Sequence, residues 1–226
     1  MNILVVAAHP DDEVLGCGGT IARLASEGYN VHVLILGEGI TSRYDDPAKA
    51  DQKLINALHE RAQAVGALLG AKDVTVADFP DNRFDTVALL DIVKVVEKHI
   101  SKAKPEVVFT QHGGDLNIDH ERTFRAVLTA TRALPGCPVK KVYAYEVASS
   151  SEWAFQQFDP VFHPNTFIDI SATLEKKIAA MQTYESEARA FPHPRSPDAL
   201  RSQARRWGSV AGVAAAEAFV LVREVR

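Results

Sequence analysis

The chain has 226 residues, 46% of them hydrophobic, with 25 basic and 29 acidic side chains and a formal net charge of -4. That length suits one domain over 1–226 with a sizeable core, and the charge balance argues against nucleic acid as the main partner. No apolar run approaches the roughly 20 residues of a membrane span; the apolar start lacks the basic lead of a signal peptide. The two cysteines, Cys17 and Cys137, need no disulfide, so a cytoplasmic protein is expected.

Residues 2–8 form a nearly continuous apolar run, the pattern of a strand buried on both faces. A helix is expected from Glu13 to Glu27, closed by Gly28. Residues 31–36 read as a second strand, 37–47 as a polar loop, and 50–69 as a helix that stops at Gly70. A short strand at 74–77 precedes the loop 78–84 and a helix over 87–100. Pro105 breaks the chain before a strand at 107–110. The polar segment 111–120 leads into a helix to about Arg132, followed by a strand at 142–145. The last third is less regular: a strand near 167–169, a helix from Ala172 to about Glu187, a helix over 198–207 and a closing strand at 219–222. This alternation predicts an α/β fold: a Rossmann-like, mostly parallel sheet flanked by helices, with right-handed crossovers and a C-terminal elaboration.

His9-Pro10-Asp11-Asp12-Glu13 follows the first strand directly. Ligands of open parallel sheets bind beyond the carboxyl ends of the strands, and carboxylates withdrawn from water need a compensating partner. A single Asp at a helix start would be read as an N-cap. Two Asp, a His and a Glu exceed that need. His9 and Asp12 suit a borderline divalent metal such as zinc. A nucleotide-binding turn is not indicated, because Gly16-Cys17-Gly18-Gly19 comes too late and carboxylates would repel phosphate; those glycines are expected to allow close helix packing.

A second polar cluster, Gln111-His112-Gly113-Gly114-Asp115-Leu116-Asn117-Ile118-Asp119-His120, follows the strand at 107–110. It should face the same crevice. A solvated loop in which Asp119 caps the next helix is the plainer account. Against it, a site begun by His9 and Asp12 lacks a third ligand, and His120 is a candidate. Three protein ligands leave one position open for water, the pattern of catalytic zinc.

The string Ala8-His9-Pro10-Asp11-Asp12-Glu13, with the later Asn117-Ile118-Asp119-His120, resembles the PIG-L (LmbE-like) zinc-dependent N-deacetylases. The resemblance implies an LmbE-like fold and removal of the N-acetyl group from an N-acetylglucosamine-type sugar or its conjugate. It implies Zn2+ as cofactor, or another divalent metal such as Fe2+, held by His9, Asp12 and His120. Asp11 would be the general base. The family often has His where this chain has Asn117, so either Asn117 or His112 is the candidate oxyanion donor, with Asp119 orienting a neighbour. Pro192-His193-Pro194-Arg195-Ser196 and the stretch Glu146–Trp153 resemble strings of a branch tied to cell-surface glycans.

Arg43, Asp81 and Arg83, on loops after predicted strands, and His193 and Arg195 are candidate substrate-binding residues, weighed against ordinary surface roles. Trp153 could stack on a sugar or simply pack. His32, His59 and His99 are expected to be structural, Arg201, Arg205 and Arg206 a solvated helical face, and Cys17 packed. The expected partner is a small N-acetylated sugar or conjugate; a homo-oligomer is compatible with the sequence. Two other classes remain open: a hydrolase of another small amide, and a non-catalytic carbohydrate-binding module.

Overall fold

A computed structural model describes residues 1–226, the side chain of Pro47 excepted. The strands are β1 (Asn2–Ala7), β2 (Asn30–Gly37), β3 (Asp73–Phe79), β4 (Val107–Gln111), β5 (Lys141–Tyr145), β6 (Thr166–Asp169) and β7 (Ala216–Glu224). The α-helices are α1 (Asp12–Ser26), α2 (Gln52–Leu69), α3 (Leu89–Ala103), α4 (Ile118–Ala130), α5 (Leu174–Thr183) and α6 (Pro197–Ala211). Every strand and helix expected from the periodicity is present, and one seven-stranded sheet contains all the strands in the order β3-β2-β1-β4-β5-β7-β6. Strands β1 to β5 run parallel. Only β7 opposes its neighbours β5 and β6. No described helix is long and apolar enough to cross a membrane.

Strand β1 is central and buried on both faces, because its apolar side chains do not alternate with polar ones. Ile3, Val5 and Ala7 join the core beneath α1, α2 and α5, with Leu15, Leu58 and Ile178. Leu4, Val6 and Ala8 join the opposite core beneath α3 and α4, with Val96 and Val127. Each Val, Leu or Ile among them contributes roughly 1.5–3 kcal/mol when fully buried. Pairing β1 with β2 on one side and β4 on the other puts a topological switch point between β1 and β4. The loops leaving those two strands therefore border one crevice.

Two departures from the expected bounds bear on the crevice. Helix α1 starts at Asp12, not Glu13, and is broken at Cys17 (φ -146). The N–H groups of Gly19 and Thr20 leave the helical ladder and donate to the Glu217 carboxylate at 3.0 and 2.7 Å. Lys177 Nζ neutralises Glu217 at 2.6 Å and also donates to Leu15 O at 2.8 Å. The polar groups freed by the break are thus satisfied. The glycines serve the close packing expected of them: a Cβ on Gly16 would lie 2.1 Å from the Tyr145 ring, and one on Gly19 2.8 Å from Ile170. Helix α5 ends at Thr183, short of Glu187, because the turn that follows sends Tyr184 and Glu187 into the crevice. Cys17 and Cys137 are free.

Candidate active site

The site begins with a backbone turn. Asp11 occupies the N-cap of α1 in the left-handed region (φ 106), and its side chain caps nothing. Glu13 holds the turn instead: Oε2 accepts from Asp11 N at 3.0 Å and Oε1 from the Tyr184 hydroxyl at 2.7 Å. A non-Gly residue at positive φ is uncommon and costs about 1 kcal/mol or more, which this framework compensates. The turn frees both Asp carboxylates for the crevice. The N-cap account therefore fails for both Asp11 and Asp12.

Asp12 Oδ2 is the meeting point. It accepts from His9 N at 2.8 Å and from Gln111 Nε2 at 2.9 Å. His9 Nδ1 and His120 Nε2 each lie 3.3 Å from the same oxygen. The outer nitrogen of each imidazole meets a second carboxylate. His9 Nε2 is 2.9 Å from Asp119 Oδ2, and Asp119 Oδ1 accepts from Phe84 N at 2.8 Å. His120 Nδ1 is 3.2 Å from Asp115 Oδ1, an electrostatic contact whose angle falls short of a hydrogen bond. Asp115 accepts in turn from the hydroxyls of Ser150 and Ser151 and from Asn117 N. Asn117, not Asp119, caps α4: its side chain accepts from Asp119 N at 2.9 Å.

His9, Asp12 and His120 offer ligand atoms all within 4.8 Å of one another, as do His9, Asp81 and Asp119. The first trio fits a divalent metal better. It points one nitrogen of each imidazole inward and backs the other with a carboxylate, the arrangement that orients metal-binding histidines. In the second trio, Asp119 already receives Phe84 N, and Asp81 receives the Ser42 hydroxyl and Asn82 Nδ2.

The facing carboxylates govern how the two imidazoles hold their protons. Burial alone would lower the imidazole pKa values, but the facing carboxylates win. His9 is held well above its ordinary value by Asp119 and Asp12, and His120 is raised to about 9 by Asp12 and Asp115. Burial would raise Asp12, yet the two histidines hold it well below the carboxylate range. Asp11 goes the other way: burial pushes it well up, and Arg195 only partly opposes this. Burial also lifts Glu13 to about 7.

His9, Asp11, Asp12, His120 and Arg195 line a cleft of about 210 Å3. Arg195 Nη1 reaches Asp11 Oδ2 at 2.7 Å and Glu187 Oε2 at 3.2 Å, while its Nε donates to Ser149 Oγ at 2.7 Å. Arg43 pairs with the other oxygen of Glu187. Of the residues singled out in the sequence, the cleft brings together His9, Asp11, Asp12, His120, Asn117, Arg43, Asp81 and Arg195. Asp119 lies buried against His9.

Three candidates lie elsewhere. His112 donates through Nε2 to Pro160 O at 2.5 Å and lines a neighbouring cavity. Arg83 is exposed and does not line the cleft. His193 accepts from Arg195 N at 3.1 Å and meets the edge of Trp153, so it shapes the turn that presents Arg195. The sequence alone points to no role for Asp115, Gln111, Glu187 or Ser149. Asp115 carried a signal, lying inside the second cluster. Glu187 carried none, since it reads as the polar end of a helix.

The fold and this donor set define an α/β protein with a candidate divalent-metal centre at the switch point of its sheet. The chain belongs to the PIG-L family: the model described as GlcNAc-PI de-N-acetylase matches residues 4–131. It is 30% identical over 237 residues to the 1D-myo-inositol 2-acetamido-2-deoxy-alpha-D-glucopyranoside deacetylase of Mycobacterium sp. (strain JLS), covering 86% of this chain and 77% of the relative. It is also 30% identical over 191 residues to the 4-oxalmesaconate hydratase of Pseudomonas putida, covering 80% and 72%. The N,N'-diacetylchitobiose deacetylase structure from Pyrococcus horikoshii superposes with a TM-score of 0.79 at 21% identity, covering 98% of this chain and 84% of that one, and shows the same fold.

Proposed function

We propose that the chain is a metal-dependent N-deacetylase that hydrolyses the acetamide of an N-acetylglucosamine-type unit. One observation carries the reading. Residues from two distant segments, His9 and Asp12 in one and His120 in the other, converge on one buried point with the carboxylate of Asp11 beside them. His9, Asp12 and His120 would hold the ion, zinc in this reading. When bound, a divalent ion polarises an amide carbonyl and acidifies water.

The chain's own groups move the protons. Asp11 takes the proton of the attacking water and returns it to the departing amine. Burial raises its pKa, against the partial opposition of Arg195, so the carboxylate is a stronger base than a solvated one. Arg195 fixes Asp11 Oδ2 and so aims the carboxylate. Asn117, whose Nδ2 donates to the exposed Asn82 in the free protein, is the neutral amide donor assigned to the oxyanion. His112 is not, because it faces the other cavity.

The charge of the cleft favours a neutral substrate. Asp11, Asp12, Asp81 and Glu187 line it, and both arginines there, Arg43 and Arg195, are already paired with Glu187 or Asp11. Sugar hydroxyls suit such a lining. A carboxylate substrate, as the name of the hydratase relative specifies, would meet no unpaired arginine.

The test is acetate release from free, nucleotide-linked and lipid-linked N-acetylglucosamine, with and without chelator. Chelation should abolish release. Asp11→Asn should lower turnover by about 100-fold or more while retaining bound metal. Release that survives chelation, or an Asp11→Asn variant with full activity, overturns the assignment.

A further inference from the structure

Helix α1 is two helical pieces joined at a break, and the shorter piece carries the site. Cys17, at φ -146 and ψ 25, leaves the helical region. The piece before it is little more than a single turn. The N–H groups of Val14 and Leu15 donate to Asp11 O at 3.0 and 2.9 Å, and this turn presents Asp11 and Asp12 to the cleft. One turn fixes more backbone dihedrals than its hydrogen bonds repay. Its position is therefore set by its neighbours. Glu13 and Tyr184 hold its N-terminal side, which leaves the C-terminal side to be held.

A buried ion pair does so by entering the helical ladder. In a continuous helix Gly19 N would donate to Leu15 O. Here Lys177 Nζ donates to Leu15 O at 2.8 Å, and Glu217 Oε1 accepts from Gly19 N at 3.0 Å. The two charged groups meet each other at 2.6 Å. One bond of the ladder is thus replaced by three, routed through α5 and β7. Thr20 N gives Glu217 a further bond at 2.7 Å, and the hydroxyl of Thr173, just before α5, donates to Gly19 O at 2.8 Å. Lys177 and Glu217 are each only 4% exposed.

Stability alone does not account for such a pair. Desolvation of two ions this deep offsets most of their attraction, and apolar side chains of similar volume commonly serve the fold as well. A straight α1 would satisfy Leu15 O and Gly19 N with no buried charge at all. What the pair adds is direction. It lets the two pieces of α1 follow different neighbours, Gly16 against the Tyr145 ring and Gly19 against Ile170. We infer that Lys177 and Glu217 are positioning residues for the candidate metal centre: by holding α1 broken, they set its first turn, and with it Asp11 and Asp12, against His120. This role toward the metal rests on the reading of His9, Asp12 and His120 as ligands; control of the first turn does not.

The test replaces the pair in the full chain by Lys177→Met together with Glu217→Leu. This double variant frees Leu15 O and Gly19 N at once, so the ladder can close between them. Urea denaturation reads its stability, and competition with a chelator of known affinity reads zinc binding. The folded double variant is expected to bind zinc about tenfold or more weakly, as loss of an orienting partner does. A purely structural pair would move the urea midpoint and leave the zinc affinity of the folded protein unchanged. Coupling of this kind is reciprocal. In the wild type, zinc should therefore slow amide exchange at Gly19 and Thr20 by a larger factor than in α3. Equal zinc affinity in the wild type and the folded double variant, or equal slowing at the two places, overturns the positioning role; if the double variant does not fold, the exchange comparison decides. A wild type that takes up no zinc overturns the metal reading instead. Control of the turn is then decided in the metal-free proteins: faster exchange at Val14 and Leu15 in the double variant upholds it, and equal exchange overturns it.

Discussion

A single oxygen, Asp12 Oδ2, organises the candidate metal centre. It accepts two hydrogen bonds from fixed donors, His9 N and Gln111 Nε2, and sits 3.3 Å from each inward imidazole nitrogen. A carboxylate anchored this way loses little further freedom on binding a cation. The outer carboxylates complete the arrangement, Asp119 for His9 and Asp115 for His120. Asp115 is the more informative to change, because its oxygens touch His120 Nδ1 and the hydroxyls of Ser150 and Ser151 but none of the inward-facing candidate ligand atoms. Asp115→Asn should weaken metal affinity by about 10–100-fold, as loss of an orienting carboxylate does. A competition titration against a chelator of known affinity measures it, and unchanged affinity would remove Asp115 from the site's support. Asp115 was legible in the sequence as part of a polar cluster but not as a partner of His120. That pairing depends on the bend at 112–117, which composition does not specify.

The elements that carry these side chains are held by close packing more than by capping. Helix α1 approaches β5 so tightly that the ring of the fully buried Tyr145 occupies the space a Gly16 side chain would need. The Tyr145 hydroxyl donates to Val6 O at 2.8 Å, so the ring cannot swing aside without losing a buried hydrogen bond. Gly16→Ala should therefore destabilise the protein by about 1–3 kcal/mol, the usual cost of overpacking, and push the first turn of α1, with Asp11 and Asp12, out of register with His120. Gly28→Ala is the comparison. It meets open space and carries only the cost of its positive φ, about 1 kcal/mol. Urea denaturation of the two variants separates these mechanisms, and equal destabilisation would contradict the packing account. Periodicity identified α1 and even the purpose of its glycines. The break at Cys17 was not visible, because its cause is Glu217, a residue that reaches α1 only through β7.

Across the whole molecule, the site stores charge that the fold must balance. His120 has its pKa raised from 6.5 to about 9 by Asp12 and Asp115, against the effect of burial. A raised value means the folded state holds the proton more tightly than the unfolded chain. Its contribution is complete below about pH 6.5 and is lost as pH climbs through about 9, on the order of 3 kcal/mol in all. Glu13, lifted by burial from 4.5 to about 7, has the same sign, its contribution being lost as pH rises from about 4.5 through about 7. The metal-free protein should therefore lose melting temperature between pH 6.5 and 9. Metal binding requires unprotonated imidazoles, so the stabilisation by added zinc should grow over the same interval. Thermal melts with and without the ion measure both trends. A metal-free melting temperature that rises from pH 6.5 to 9 would refute this charge balance.

The chain's local chemistry determined its α/β class, the order of its elements and the membership of its two polar clusters. Periodicity and turn residues act over a few positions, and the clusters sit where strands end. That His9, Asp12 and His120 would lie together was legible for a related reason: an imidazole and carboxylate at the carboxyl end of one buried parallel strand need a partner from another. Only the tertiary structure decided which way the side chains of those clusters face. It turned His112 toward Pro160, left Arg83 in solvent, set Arg195 against Asp11 and brought Glu187 in from beyond α5. Those outcomes depend on contacts between residues far apart in the chain. For them, packing volume and charge balance outweigh any local preference, and neither is written in a single segment.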